Sequence, residues 1–255
     1  MIVVLAIAAA SSAAAQYGKP PDPASKAAGD ATLTAQFVKT GLFLVSGGGS
    51  NTLLRLSANG LIVVDGKLPG NYEALRKRFH KMSDQPVRAL ILTDHYEIRT
   101  GTNAKFLAAG SRIIAQENVK RNLAAYNPPG GPVAPPDITY DREYKLKLGG
   151  AEVELFHFGS ARTDGDTVVY FPAQKVVAVG DLFASAPNPD YSAGGSLVGW
   201  GPVLGQILKL DFDVVVPGEG PPVSKADLQA FKTKIDTLVP AQPDWNAFHI
   251  FPDMK

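Results

Sequence analysis

LILTDHYEIRTGTN, Leu90–Asn103, opens on a buried-looking strand and changes character within four residues. Leu90, Ile91 and Leu92 are apolar, the composition of a strand covered on both faces. Thr93, Asp94, His95, Tyr96, Glu97, Ile98 and Arg99 follow, then Gly101 and Asn103 lead into an apolar helix-like segment. A strand end that delivers polar side chains into a loop is where α/β proteins place their chemistry.

The flanking segments repeat the pattern. LIVVD, Leu61–Asp65, is a second apolar strand ending in an acid. Tyr72–Met82 carries Leu75, Phe79 and Met82 at helical spacing, with His80 on its solvated side. Phe37–Val45 and Asn51–Leu56 read as a hairpin around SGGGS (Ser46–Ser50), whose glycines lack the Lys-Ser/Thr and strand–loop–helix context of a phosphate loop. Thr102–Ala109 and Gln116–Ala125 are predicted helices around the strand Ser111–Ala115. Asn127–Asp137 holds too many prolines for a helix or interior strand, and is expected as an irregular loop able to wall a pocket. Four short strands follow, Glu143–Leu148, Ala151–Phe158, Thr167–Phe171 and Lys175–Val179, then a second long loop, Ser185–Ser196. A helix is predicted over Pro202–Leu210, a strand over Phe212–Val216 and a last helix from Ser224, with Asp227 completing a capping box. Two packed sheets with helices outside bury all of these stripes in one domain.

Composition sets the outer bounds. The chain has 255 residues, 45% hydrophobic and 19% charged, the profile of a globular protein. A formal net charge of +1, with no basic stripe, gives no reason to expect nucleic acid. Cysteine is absent, which excludes disulfides, thiolate metal ligands and a cysteine nucleophile. Residues 1–15, an apolar run ending in Ala13, Ala14 and Ala15, read as a secretory signal, although no Lys or Arg precedes the run. Residues 16–30 read as a flexible lead-in and 31–255 as the domain. A periplasmic or secreted bacterial protein, without a membrane anchor once the signal is cleaved, is the expectation.

The chain resembles the metallo-β-lactamase superfamily. The resemblance covers nearly all of residues 31–255 and rests on NTLLRLSANGLIVVDG, LILTDHYEIRTGTNAKF, SARTDGDTVVYFP, VVAVGDLF and VVPGEGP, in family order. It implies an α/β (α+β) fold of the four-layer αββα type and a dinuclear zinc hydrolase centre. At the ligand positions the residues differ. Thr93 before, and Gly101 and Asn103 after, fix the register of the H-x-H-x-D-H motif, so Asp94, Tyr96, Ile98 and Arg99 stand where His, His, Asp and His are expected. His95 falls on a variable position. Arg162 and Glu219 replace two further histidines, and only the bridging acid, Asp181, is retained.

Zinc needs converging neutral imidazoles and carboxylates with one position open to water. Ile98 offers no donor, and Arg99 and Arg162 are permanent cations. Without metal, the water whose pKa zinc lowers from about 15.7 to about 7 is no longer a nucleophile at neutral pH. No zinc or other cofactor is therefore predicted, and the leading reading is a non-hydrolytic pseudoenzyme. In the family's geometry Arg99 and Arg162 converge with Asp94, Asp181 and Glu219, so a polar plug of ion pairs is the first expectation. A second is an anionic small-molecule site gripped by both arginines, with Asn127–Asp137, Tyr191 and Trp200 as walls; a protein partner is the other candidate. A third keeps hydrolysis, with Asp94, Asp181 and Glu219 holding Mg²⁺, Ca²⁺ or Mn²⁺, or without metal through Tyr96 or His95. Asp65 is expected to brace the loop beneath the site. Asp164 and Asp166 read as turn-forming acids, and His157 and His249 as structural histidines.

Overall fold

The computed structural model describes residues 32–239, so the predicted signal, the lead-in and His249 lie outside the described residues. Apolar runs and turn glycines divide the first half into β1 (Thr34–Lys39), β2 (Leu42–Ser46), β3 (Thr52–Ser57), β4 (Gly60–Val64), α1 (Tyr72–His80), β5 (Val87–Ile91), α2 (Glu97–Thr100), α3 (Asn103–Ala108), β6 (Arg112–Gln116), α4 (Glu117–Ala125) and β7 (Ile138–Tyr140). The second half adds β8 (Glu143–Leu148), β9 (Ala151–Phe156), β10 (Val168–Phe171), β11 (Val176–Gly180), α5 (Leu197–Ile207), β12 (Val214–Pro217), β13 (Val223–Ser224) and α6 (Lys225–Leu238).

The strands form two sheets, one ordered β1-β2-β3-β4-β5-β6-β7 and the other β13-β12-β11-β10-β9-β8. Three apolar clusters fill three interfaces, the arrangement a four-layer αββα sandwich requires. Leu44, Ile62, Ile91, Val153, Val169 and Phe171 pack between the sheets. Leu54, Leu90, Leu75, Phe79, Phe106 and Val119 join the first sheet to α1, α3 and α4. Val177, Trp200, Leu204, Phe231 and Ile235 join the second to α5 and α6. Burying strands from both sides explains the unbroken apolar runs LIVV and LIL.

Several boundaries differ from the sequence reading. The predicted strand Phe37–Val45 is two strands, because the chain reverses at Gly41, whose φ of +68° suits glycine. The helix expected from Pro202 begins at Leu197, where the Ser196 hydroxyl accepts from Gly199 N at 3.0 Å. Pro202 lies on that helix's exposed side, while Trp200, Val203, Leu204 and Ile207 face the core. The capping box at Ser224 and Asp227 forms as the spacing predicts.

Topology positions the site. β4 and β5 are parallel, and so are β11 and β12, one pair in each sheet. Their carboxyl ends carry Asp65, then Thr93 and Asp94, in the first sheet, and Asp181 and Glu219 in the second. Four acids from four strand ends therefore gather at one end of the sandwich.

Candidate functional site

Arg99 occupies the middle of that cluster. It sits on α2, a single turn opened by Tyr96, whose N–H is fixed by Asp94 Oδ1 at 2.9 Å. The turn throws the Arg99 side chain inward, where it is fully buried. Its Nη1 lies 3.0 Å from Asp94 Oδ2, its Nε 3.5 Å from Asp65 Oδ2, and its Nη2 donates to Asp181 Oδ1. Asp65 adopts a left-handed backbone, φ +59°, and accepts from Thr93 N at 2.8 Å and Thr93 Oγ1 at 2.6 Å. It thus braces the base of the β5 loop, as the sequence suggested, and also joins the ion cluster.

Burial would lower the Arg99 pKa, but Asp181, Asp94 and Asp65 outweigh it and raise it, so the guanidinium stays charged. Burial pushes the Asp94 carboxyl well above its usual range, with Asp181 and Asp65 adding to the push and Arg99 opposing it. The Asp65 carboxyl shifts the same way for the same leading cause. Beside them lies Lys67, fully buried, donating to the carbonyls of Val45 (2.9 Å) and Ser50. Burial brings its ammonium down to about 7. The amino-acid pattern gave no sign of Lys67, which stands three residues beyond the end of β4 in an unexceptional DGKLPG turn.

The expected convergence of five side chains is only partly met. Arg162 pairs with no carboxylate among the described residues; its guanidinium lies 5.0 Å over the Tyr96 ring. Tyr96 points away from Arg99 and donates its hydroxyl to Asp190 Oδ2 at 2.8 Å. Glu219 is exposed at the rim and makes no ion pair among the described residues. Nor can Arg99 and Arg162 grip one anion together, because Arg99 is sealed by three carboxylates. Ile98 packs toward the SGGGS turn, and its carbonyl accepts from Ser50 Oγ at 2.8 Å.

A cleft of about 400 Å³ opens beside the cluster, lined by Arg162, Asp181, Phe183, Ser185, Asn188 and Glu219 among others. Three expected walls are elsewhere. Trp200 is fully buried among the α5 and α6 contacts, its Nε1 donating to Leu182 O at 3.0 Å. Tyr191 is 70% exposed, and the cleft is walled instead by residues 183–188 of the same loop. The Asn127–Asp137 loop is tied to the other side, with Gly130 N–H donating to Glu97 Oε1 at 2.7 Å. His95 is buried against Tyr96 and Tyr126, and burial lowers its pKa to about 4, so it is neutral at pH 7. His157 bonds the Asp166 carbonyl at 2.9 Å. Asp166 closes its turn by accepting from Thr163 N and Oγ1, both at 2.8 Å, whereas Asp164 pairs with Arg121 and Asn122 of α4.

The donor chemistry of this cluster does not suit zinc. The oxygens of Asp94, Asp65 and Asp181 that face inward all face the Arg99 guanidinium, which has no lone pair to give a metal. No group of three His, Cys, Asp or Glu arranged to hold a metal occurs among the described residues.

Comparison with known proteins places the chain. It is 26% identical over 205 residues to the 2,4-dinitroanisole O-demethylase subunit alpha of Nocardioides sp. (strain JS1661), covering 78% of this chain and 61% of that protein. It is 28% identical over 184 residues to the metallo-beta-lactamase type 2 of Bacillus cereus, covering 67% of each. The chain thus spans about two thirds or less of the length of these relatives. Among solved structures, the metallo-beta-lactamase from Pontibacter korlensis superposes with a TM-score of 0.71 at 20% identity, covering 80% of this chain and 99% of that one. The DIM-1 metallo-beta-lactamase gives the same TM-score and identity, covering 82% and 100%. The family model of the metallo-beta-lactamase superfamily matches residues 45–219, and with the αββα sandwich and the strand-end site this chain belongs to that superfamily.

Proposed function

We propose that this chain is a non-hydrolytic member of its superfamily, in which a buried arginine takes the place of the metal centre and the adjoining cleft binds a small charged ligand. One observation carries the reading: the Arg99 guanidinium fills the space among Asp65, Asp94 and Asp181. A permanent cation there repels an approaching divalent ion and supplies the positive charge the carboxylates need. It also cannot generate hydroxide, which leaves hydrolysis without a nucleophile at neutral pH. His95 is neutral but enclosed by two aromatic rings, and burial and its bond to Asp190 raise the Tyr96 pKa, so neither replaces the metal-bound water.

The relatives named as a β-lactamase and as an O-demethylase subunit supply the assays. Turnover of a chromogenic cephalosporin and of 2,4-dinitroanisole is measured with and without added zinc. The expected result is no turnover above the buffer rate in either condition. Zinc-dependent turnover of either compound would overturn the reading and restore the hydrolase one.

A further inference from the structure

We propose that the cleft beside the arginine cluster takes a small zwitterion, its anionic group on Arg162 and its ammonium on Glu219. The proposal deepens the ligand-binding reading given above and rests on it.

Some of the charges around the cleft are already engaged. Asp181 faces the cleft, but its Oδ1 is engaged by Arg99. That leaves Arg162 and Glu219, opposite in sign and lining the same hollow of about 400 Å³. Neither has an ion-pair partner within 4.0 Å among the described residues, and they do not close on each other. Two complementary charges held apart across a cleft of ligand size form a recognition site with both poles vacant for pairing. A second hollow, of about 410 Å³, continues beyond Glu219 along Gln36, Ser46, Gly49 and Asn51, so Glu219 stands between two open spaces.

The Arg162 side chain and the backbone that carries Glu219 are held in place. Arg162 lies on the face of Tyr96, whose hydroxyl is tied to Asp190, and Asp190 N–H donates back to the Arg162 carbonyl at 2.8 Å. The Glu219 segment is pinned by Asn51, whose side-chain amide donates to Pro217 O at 2.9 Å and Gly220 O at 2.7 Å. Asn51 N–H also donates to Gly218 O at 2.7 Å. Groups ordered before binding cost less to use in binding.

The electrostatics choose between ligand classes. Partial burial raises the Glu219 carboxyl, with Asp181 adding to it and Arg99 opposing, and an ammonium placed there favours the ionised carboxylate. A simple anion gains Arg162 but meets Glu219, whose charge nothing pairs among the described residues. A simple cation gains Glu219 but leaves Arg162 without a partner. Phe183 lines the same cleft and offers an apolar contact to a short carbon chain.

The test is calorimetric titration of the folded chain with glycine, γ-aminobutyrate and 6-aminohexanoate, against butyrate and butylammonium as single-charge probes. At least one zwitterion is expected to bind about tenfold or more tightly than either single-charge probe, the effect of one added charge-assisted contact. Arg162→Ala should abolish that preference over butylammonium, and Glu219→Gln, which keeps shape, should abolish it over butyrate. Equal binding of butyrate and the zwitterions, indifference to Glu219→Gln, or no zwitterion binding at all would each overturn the proposal. Zinc-dependent turnover in the same preparation would instead sink the non-hydrolytic reading beneath it, so the two failures are separable.

Discussion

Arg99 is the residue on which the site turns. Removing one partner from a buried charge cluster leaves the others uncompensated, at a cost of about 3–5 kcal/mol. Arg99→Met is therefore expected to lower unfolding free energy by that amount in urea titrations, leaving Asp65, Asp94 and Asp181 facing one another. Arg99→Lys should recover only part of the loss, because one ammonium cannot span three carboxylates as a planar fork does. Equal stability of Arg99→Met and the parent chain would show that the cluster carries no structural weight. At this scale the sequence was a good guide to identity and a poorer guide to direction. Aligning Thr93, Gly101 and Asn103 pointed to Asp94 and Arg99, and the structure brings these two side chains within 3.0 Å of each other. The register could not tell that Tyr96 reaches to Asp190, leaving Arg162 to stack on its ring, because Tyr96 is the extended residue that precedes α2 and its direction is set by a partner 94 residues away in the chain. Trp200 could be read as a pocket wall or as a packed residue, and the structure puts it in the core on the buried side of α5.

Among the elements, the joint between the two sheets is the one most exposed to a single change. Asn51, at the entry to β3, crosses to the β12 turn through three hydrogen bonds. The adjacent Gly218 has no room for a side chain, since an added Cβ would collide with Arg99 Nη2 and Asp181 Oδ1. Asn51→Ala removes the two side-chain bonds to the β12 turn and the one Asn51 Oδ1 accepts from Ser46 Oγ at 3.0 Å, a loss of about 1–3 kcal/mol. Amide hydrogen exchange is the sharper readout, with faster exchange expected at residues 218–220 and little change in β8 and β9. Unchanged exchange at 218–220 would mean that the turn holds itself. The strands, α1 and α6 were readable because apolar period and capping residues report them locally. α2, β7 and β13 were not, being four, three and two residues long, too short to show a period and set by tertiary contacts.

For the whole molecule, an excess of buried acids over buried bases makes stability depend on pH. Burial raises the carboxyls of Asp65 and Asp94, and brings Asp166 up to about 7. A carboxyl whose pKa rises on folding binds more protons in the folded state, so its contribution is lost as pH rises through the folded value. Neutral His95 acts oppositely below about pH 6.5, but it is one group against three. Lys67, lowered to about 7, binds fewer protons when folded, so stability recovers as pH climbs from there toward its unfolded value of about 10.4. The expected profile is a fall in unfolding free energy from about pH 4 to a minimum near pH 7, followed by a rise. Denaturant titrations across that range check it, and a maximum at pH 7 would contradict the charge assignment. The architecture itself was legible from the order of apolar runs. The charge balance at its centre was not, since burial belongs to the assembled fold.

The central claim is that arginine stands in for metal, and metal content tests it most directly. The purified chain is incubated with excess zinc, desalted and assayed by elemental mass spectrometry against protein concentration. The account predicts zinc far below one equivalent per chain. A full equivalent or more surviving desalting would contradict it, because a divalent ion and the Arg99 guanidinium cannot share the same three carboxylates.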